Sequence, residues 1–389
     1  MILIFDTECT GAQRNHAHPF DHRNVMCNLG VRVDGKNTIY KIEYDEDPYG
    51  EQLQEIKELF SRATLVVGFN LKFDLHWINR YGISINSGCR IFDCQLAYFI
   101  LDKQQTAYPS LAGVSEAFGL ESKLDIVKTE YWDKGLDTNQ VPYEILSEYL
   151  EQDLVVTEQV YHRLSEELNK TTESMRKLVS VSMQDLIVLQ DIERNGLLLD
   201  TEKSIEKGNK LVAQISNIDG WLRKIFNAPW FNPNSGDQLS AFLYGGTLEL
   251  DVKETYTFTY KRGHSKEKVR NVKIPYVFKG LFKPLPKTGL AKEGFYSTER
   301  GVLMQLQQSV KGESKKILDE LLRRSKLEKL RSTYYHGLPK KLEEYGWEDN
   351  IIHSSLNQCV ATSGRLSSTK PNIQNIEEGV NEVFISRFN

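Results

Sequence analysis

Met1-Ile2-Leu3-Ile4-Phe5-Asp6-Thr7-Glu8 runs five apolar residues into an acid, a threonine and a second acid. A short apolar run bounded by polar residues reads as a buried strand. Alternate side chains of an extended chain share a face, so Asp6 and Glu8 project together near the end of that strand. Two carboxylates that close repel each other unless positive charge sits between them, and a hard divalent cation with oxygen ligands supplies it.

The rest of the chain sets the context for this pair. At 389 residues it is too long for one ordinary core, and 40% hydrophobic with 26% charged residues is a globular composition. No apolar run approaches the ~20 residues of a membrane span. No basic region precedes the N-terminal apolar run and acids interrupt it, so a signal peptide is not expected there. Cys9, Cys27, Cys89, Cys94 and Cys359 are odd in number and form no CxxC pair. The expectation is reduced thiols, a cytoplasmic setting, no zinc site and no membrane association. The net charge of −4 is uneven: residues 252–292 hold eleven Lys/Arg against Glu254 and Glu267. A basic arm on an otherwise acidic chain points to a polyanion partner, or to a solvated lysine-rich loop.

After the first strand, a polar loop over 11–22 leads into two extended runs, 24–33 and 38–42, joined by the turn Asp34-Gly35-Lys36-Asn37. A helix is expected over 51–61 and a second buried strand over 64–68. In Gly68-Phe69-Asn70-Leu71-Lys72-Phe73-Asp74, Asn70 reads as a helix cap and Asp74 as facing back to the strand end one turn later. Further helices are expected over 91–101 and 110–118. A long amphipathic helix over 142–168 carries Tyr149 and Asp153 on one face, four residues apart.

Asp6, Glu8, Asp74 and Asp153 are thus four acids on a strand, a strand–helix junction and a late helix. Such a set could clamp two divalent ions ~3.5–4 Å apart. One would generate hydroxide and the other stabilise the leaving oxygen of a phosphodiester, with Tyr149 orienting the attacking water. Oxygen ligands favour Mg2+ or Mn2+.

The second half reads as a helix over 184–194 ended by Asn195-Gly196, a strand over 197–199 and a helix over 202–226 capped by Thr201. A turn over 231–237 precedes a helix over 238–244. Alternating β-prone residues (Tyr256, Phe258, Tyr260, then Val269, Val272, Ile274) flank Lys261-Arg262-Gly263-His264-Ser265-Lys266, which reads as a hairpin with a charged tip. A basic helix follows over 315–331, with Arg323, Arg324, Lys326 and Lys329 on its charged face. Thr362-Ser363-Gly364-Arg365-Leu366-Ser367-Ser368-Thr369-Lys370-Pro371-Asn372-Ile373-Gln374-Asn375-Ile376 is polar and cannot form a core; its Arg, Gln and Asn suit phosphate and minor-groove contact.

Asp-x-Glu, Asn-x-x-x-Asp and Tyr-x-x-x-Asp, in that order, resemble the DEDD 3′–5′ exonucleases with Tyr in the last motif, over roughly residues 1–170. The stretch 362–376 resembles the T-G-R-L-S-S-x-x-P-N-L-Q-N-I-P segment of family A DNA polymerases. Residues 231–239 and Leu327-Glu328-Lys329-Leu330-Arg331-Ser332-Thr333-Tyr334 resemble two thumb segments of that family. The resemblance implies an α/β chain: a ribonuclease H-like exonuclease domain followed by a mostly helical thumb with a β-hairpin insertion and a partial palm. The bounds it implies are 1–170 for the exonuclease and 171–205 for the start of the polymerase region. The thumb would span 206–335, with its basic insertion at about 252–292, and the first palm segment 336–389.

By the same resemblance Asp6, Glu8 and Asp153 are inner metal ligands, Asp74 the outer acid and Tyr149 the water-orienting tyrosine. Asn70 would lie near the terminal nucleotide. Arg365, Gln374 and Asn375 would hold primer-template, and Lys329 and Thr333 would grip duplex backbone. Ser363 replaces the family's Thr, Glu377 its Pro, and residue 389 precedes the palm aspartates and fingers motifs. The expectation is a proofreading exonuclease of a phage-like polymerase in the host cytoplasm. Nucleotidyl transfer would then need a C-terminal chain, supplied separately or removed, which the apolar end Val383-Phe384-Ile385 would seek as a strand partner. The basic insertion would grip DNA or a processivity factor. The rivals are a stand-alone DEDD nuclease acting on RNA and a non-catalytic DNA-binding assembly subunit.

Overall fold

The computed structural model describes residues 1–11, 17–42, 50–120, 126–260, 263 and 265–387. The reading of residues 12–16 as polar loop, and of Lys261, Arg262 and His264 as a hairpin tip, lies outside them. Two compact units are present: Met1–Thr201 with Leu338–Asn389, and Glu202–Gly337.

The first unit is built on a five-stranded sheet in the order β3-β2-β1-β4-β5. Its strands are β1 (Ile2–Cys9), β2 (Met26–Val33), β3 (Lys36–Lys41), β4 (Leu65–Gly68) and β5 (Arg90–Asp93). β1, β2 and β3 form an antiparallel meander, and β1, β4 and β5 run parallel. Asp34 and Gly35 both take positive φ, as the tight β2–β3 turn requires. Around the sheet lie α1 (Gly50–Ser61), α2 (Leu71–Arg80), α3 (Cys94–Leu101), α4 (Leu111–Ala117), α5 (Ile126–Glu130), α6 (Tyr143–Asn169) and α7 (Glu173–Asn195). Leu3, Phe5, Phe60, Trp77 and Leu154 are fully buried between them.

Gly30 explains how α6 reaches the sheet. It pairs with Asp6 across β1 and β2, and a Cβ there would come 2.8 Å from Leu150 and 2.9 Å from Leu154 of α6. A side chain at Gly30 would therefore lift α6 off the face that carries Asp6.

Three local expectations are corrected. The stretch 91–101 is not one helix: β5 ends at Asp93 and α3 starts at Cys94. The helix expected over 184–194 extends back to Glu173, capped by the Thr172 hydroxyl. Val383-Phe384-Ile385 is not an unpaired end. Val383 is buried, and β12 (Phe384–Ile385) pairs with β6 (Leu197–Leu199), whose other edge holds β11 (Ile351–Ile352).

The supposed polar loop also contributes to the core. His18 is buried, stacked near Tyr345 and tilted against Trp347. Burial, then the nearby His353 and His76, push its pKa down to about 3. Below pH 6.5 the unfolded chain therefore binds a proton that the folded chain refuses, so stability falls as pH drops toward 3. His353, lowered to about 4, acts in the same direction, while Asp93, raised to about 6, acts in the opposite one. In urea unfolding between pH 6 and pH 4, His18→Gln should lose stability less steeply than the parent, by about 1.4 kcal/mol per pH unit. Equal slopes would show that His18 is not held neutral.

The second unit contains α8 (Thr201–Ile225), α9 (Gly236–Tyr244), α10 (Arg300–Ser309) and α11 (Gly312–Lys329), followed by a π-helical turn over Leu330–Tyr335. Leu222, Phe231, Leu243 and Leu318 form its core. Arg324, expected on a solvated face, is buried: it pairs with Asp219 and donates to Asn234 Oδ1 at 2.8 Å. From this unit projects a two-stranded ribbon, β7 (Gly246–Thr259) against β8 (Ser265–Phe278), with the short pair β9 (Leu290–Lys292) and β10 (Phe295–Tyr296) beyond it.

Candidate active site

β1 delivers Asp6 and Glu8, and α6 delivers Asp153. One carboxylate oxygen from each lies within 4.8 Å of the others. The register between β1 and β2 slips after Glu8: Glu8 pairs with Asn28 but Cys9 with Met26. A bulge of this kind re-aims side chains at a strand end. The Asn28 amide nitrogen is buried beside Glu8 and hydrogen-bonds to nothing among the described residues, a donor that the sequence reading did not single out.

Asp74, on α2, stands beside this group rather than within it. Thr7 donates its hydroxyl to Asp74 Oδ1 at 2.6 Å and its backbone N–H to the same oxygen at 3.1 Å. Burial raises the Asp74 pKa well above the usual carboxylate range. The charge of Asp6 and, less strongly, of Glu8 adds to the rise, against the two Thr7 hydrogen bonds. The four expected acids are therefore three in one cluster and a fourth that feels their charge.

Asn70 occupies the N-cap position of α2 but does not cap it through its side chain: it sits exposed in a left-handed conformation and makes no cap hydrogen bond. Asp93 does that work instead. It accepts from the backbone N–H of Asn70 at 3.2 Å and Leu71 at 2.9 Å. It also caps its own helix through Gln95 at 2.8 Å and Leu96 at 3.2 Å. Burial pushes its pKa up to about 6, and the four N–H groups hold it from rising further. One buried carboxylate thus fixes the starts of both α2, which carries Asp74, and α3.

Tyr149 is buried one helical turn before Asp153, edge-on to Trp132 at 6.0 Å. Arg365, Gln374 and Asn375 are exposed in the first unit; Lys329 and Thr333 are exposed in the second.

The donor set fits hard divalent cations. It is all carboxylate oxygen, and the Asp74 pKa, raised first by burial and then by the charge of Asp6, includes a repulsion that a cation would relieve.

Residues 3–169 match the family model described as 3′-5′ exonuclease, and residues 274–387 match that of DNA polymerase family A. DNA polymerase I of Chloroflexus aurantiacus is 28% identical over 390 residues, 97% of this chain and 36% of that protein. DNA polymerase I of Bacillus subtilis is 26% identical over 294 residues, 74% of this chain and 28% of that protein. The chain thus spans about a third of the length of the curated relatives it matches. Among solved structures, the POL domain of Pol1 from M. smegmatis, in complex with DNA primer-template and dNTP, shares the fold. It has a TM-score of 0.65 at 16% identity over 98% of this chain and 53% of that one.

The mixed sheet and the carboxylate cluster at its first strand thus lie within the region that matches the 3′-5′ exonuclease model. Over residues 3–169 the chain is similar to 3′-5′ exonucleases, and over residues 274–387 to family A DNA polymerases.

Proposed function

We propose that the first unit hydrolyses the 3′-terminal phosphodiester of DNA, in the manner of a proofreading exonuclease. The observation that carries this reading is the convergence of Asp6, Glu8 and Asp153, with Asp74 beside them. These four would hold two Mg2+ or Mn2+ ions. When bound, such ions supply an activated water and stabilise the leaving oxygen. Thr7 holds Asp74 in place and Asp93 holds the helix beneath it. The Tyr149 hydroxyl would orient the attacking water, and Asn70, exposed at the start of α2, would meet the terminal nucleotide. Arg365, Gln374 and Asn375 would hold primer-template, and Lys329 and Thr333 duplex backbone. The domain bounds proposed are 1–170, 171–205, 206–335 and 336–389.

The test uses single-stranded DNA labelled at one end or the other, with Mg2+ or Mn2+. Shortening from the 3′ end supports the reading; loss from the 5′ end, or no loss, rejects it. Faster digestion of RNA than of DNA would favour the ribonuclease reading. Tyr149→Phe should slow digestion roughly 10²-fold, the scale of a lost proton-handling group, with Mn2+ affinity unchanged. An unchanged rate would remove Tyr149 from the chemistry. Primer extension read on the same gels, with and without a complementary polymerase chain, tests DNA synthesis: extension by the mixture alone supports completion by a second chain.

A further inference from the structure

The two faces of the β7–β8 ribbon differ in a way that a solvated loop does not require. Each strand is 14 residues long, and among the described residues the two pair only with each other. Alternation places the pairs Glu254–Arg270, Tyr256–Lys268 and Phe258–Lys266 on one face of its outer half. The opposite face there carries Thr255–Val269 and Thr257–Glu267. All the described cations of the outer half above Lys253 therefore share a face with its aromatic rings.

Those rings seat the cations. Lys268 Nζ lies 3.8 Å from the Phe258 ring centre and 5.3 Å from that of Tyr260, and the Arg270 guanidinium lies 5.2 Å from the Tyr256 ring. Such contacts fix a long side chain while leaving its N–H donors outward. Arg270 is paired with Glu254 at 2.8 Å, whereas Lys266 and Lys268 have no carboxylate partner among the described residues. Alternate residues of a strand advance ~6.8 Å, about twice the 3.4 Å axial rise per phosphate of one DNA strand. The opposite face, where Lys273 meets Glu249 at 3.6 Å and Asp251 and Glu267 add negative charge, lacks this excess.

We propose that the Tyr256–Phe258–Lys266–Lys268–Arg270 face of the ribbon binds the sugar–phosphate backbone of duplex DNA, independent of sequence, and that the opposite face does not. The proposal rests on the reading of the chain as one that handles DNA, and extends it to a named surface distant in sequence from the carboxylate cluster.

The experiment measures anisotropy of a labelled primer-template duplex against the full chain in EDTA, over a range of KCl. Lys266→Ala with Lys268→Ala should lower the slope of log K against log [salt] by about 1.8, that is ~0.9 per lost phosphate contact. Lys266→Arg with Lys268→Arg should restore it. The opposite-face pair Lys253→Ala with Lys273→Ala should leave the slope unchanged. Equal losses from the two Ala pairs, no loss from either, or a parent chain that does not bind duplex would each overturn the proposal. Digestion of short single-stranded DNA by the same variants separates the two readings. Digestion intact with an unaltered slope rejects the ribbon surface alone, and no digestion by the parent rejects the exonuclease itself.

Discussion

Asp6→Ala combined with Glu8→Ala should abolish 3′ shortening of DNA, by about 10⁴-fold or more, the scale on which residues acting as a unit are lost. Both residues leave β1 on the face that α6 closes, and with them go two of the three carboxylates that converge there. Asp153 alone cannot replace them, and Asp74 is engaged by Thr7. The same substitution has a second, opposite signature. The clustered carboxylates repel one another, and the charge of Asp6 and Glu8 adds to the burial that raises the Asp74 pKa. Removing two of them should leave thermal stability in EDTA unchanged or raised. The parent should gain stability when Mn2+ is added, about 2.7 kcal/mol at a hundredfold excess over Kd, and the variant should gain none. A variant that still digests DNA would place the chemistry elsewhere. A variant that still responds to Mn2+ would mean that other residues hold the ion. A variant that unfolds in EDTA would mean that the pair is structural.

The parts of this site that were legible in the sequence are those that one element carries by itself. Asp6 and Glu8 share a face because strands alternate, and Tyr149 and Asp153 stack because they are four apart on a helix. The parts that were not legible depend on contacts between elements. Asp93 ends a four-residue strand and caps the next helix, so Ile91-Phe92 merges with the apolar helix that follows it and the strand disappears from the pattern. The same residue caps α2 from 22 residues away, a task that local chemistry assigned to Asn70. Gly30 looks like an ordinary strand glycine until Leu150 and Leu154 are placed over it. Arg324 sits at a position that helical spacing gives to solvent, but Asp219 and Asn234 satisfy it and allow its burial. In each case a partner distant in sequence reverses the local expectation.

Glu193→Ala should be the most damaging single change in the first unit away from the carboxylate cluster, costing about 3–5 kcal/mol, as expected when one member of a buried ion pair is removed. Glu193, near the end of α7, is 6% exposed. One oxygen meets Lys72 Nζ at 2.5 Å and accepts the Leu356 N–H at 2.5 Å; the other meets His76 Nε2 at 2.7 Å. Burial would raise its pKa, but the hydrogen bond from His76 and the charge of Lys72 outweigh burial and hold it below the usual carboxylate range. The carboxylate is therefore charged at neutral pH. Its removal leaves a part-buried ammonium and a buried backbone N–H uncompensated. Lys72 and His76 belong to α2, the helix that carries Asp74, so α7 and the strand at Ser355–Asn357 steady that helix through Glu193, with Gln190 beside His76 and the Leu356 carbonyl accepting from Lys72 as further links. Tm should fall by about 10 °C, given 2–4 °C per kcal/mol for a unit of this size. Digestion should slow at temperatures where the parent is fully folded, because Asp74 loses its support. Glu193→Gln keeps an acceptor for Leu356 but not the charge opposite Lys72, and should lose less. A double-mutant cycle with Lys72→Met isolates the pair, since removing both partners should cost less than the sum of the single changes. Additive losses, or a Glu193→Ala variant as stable as the parent, would show that the pair carries no coupling and that α2 is held by its packing alone.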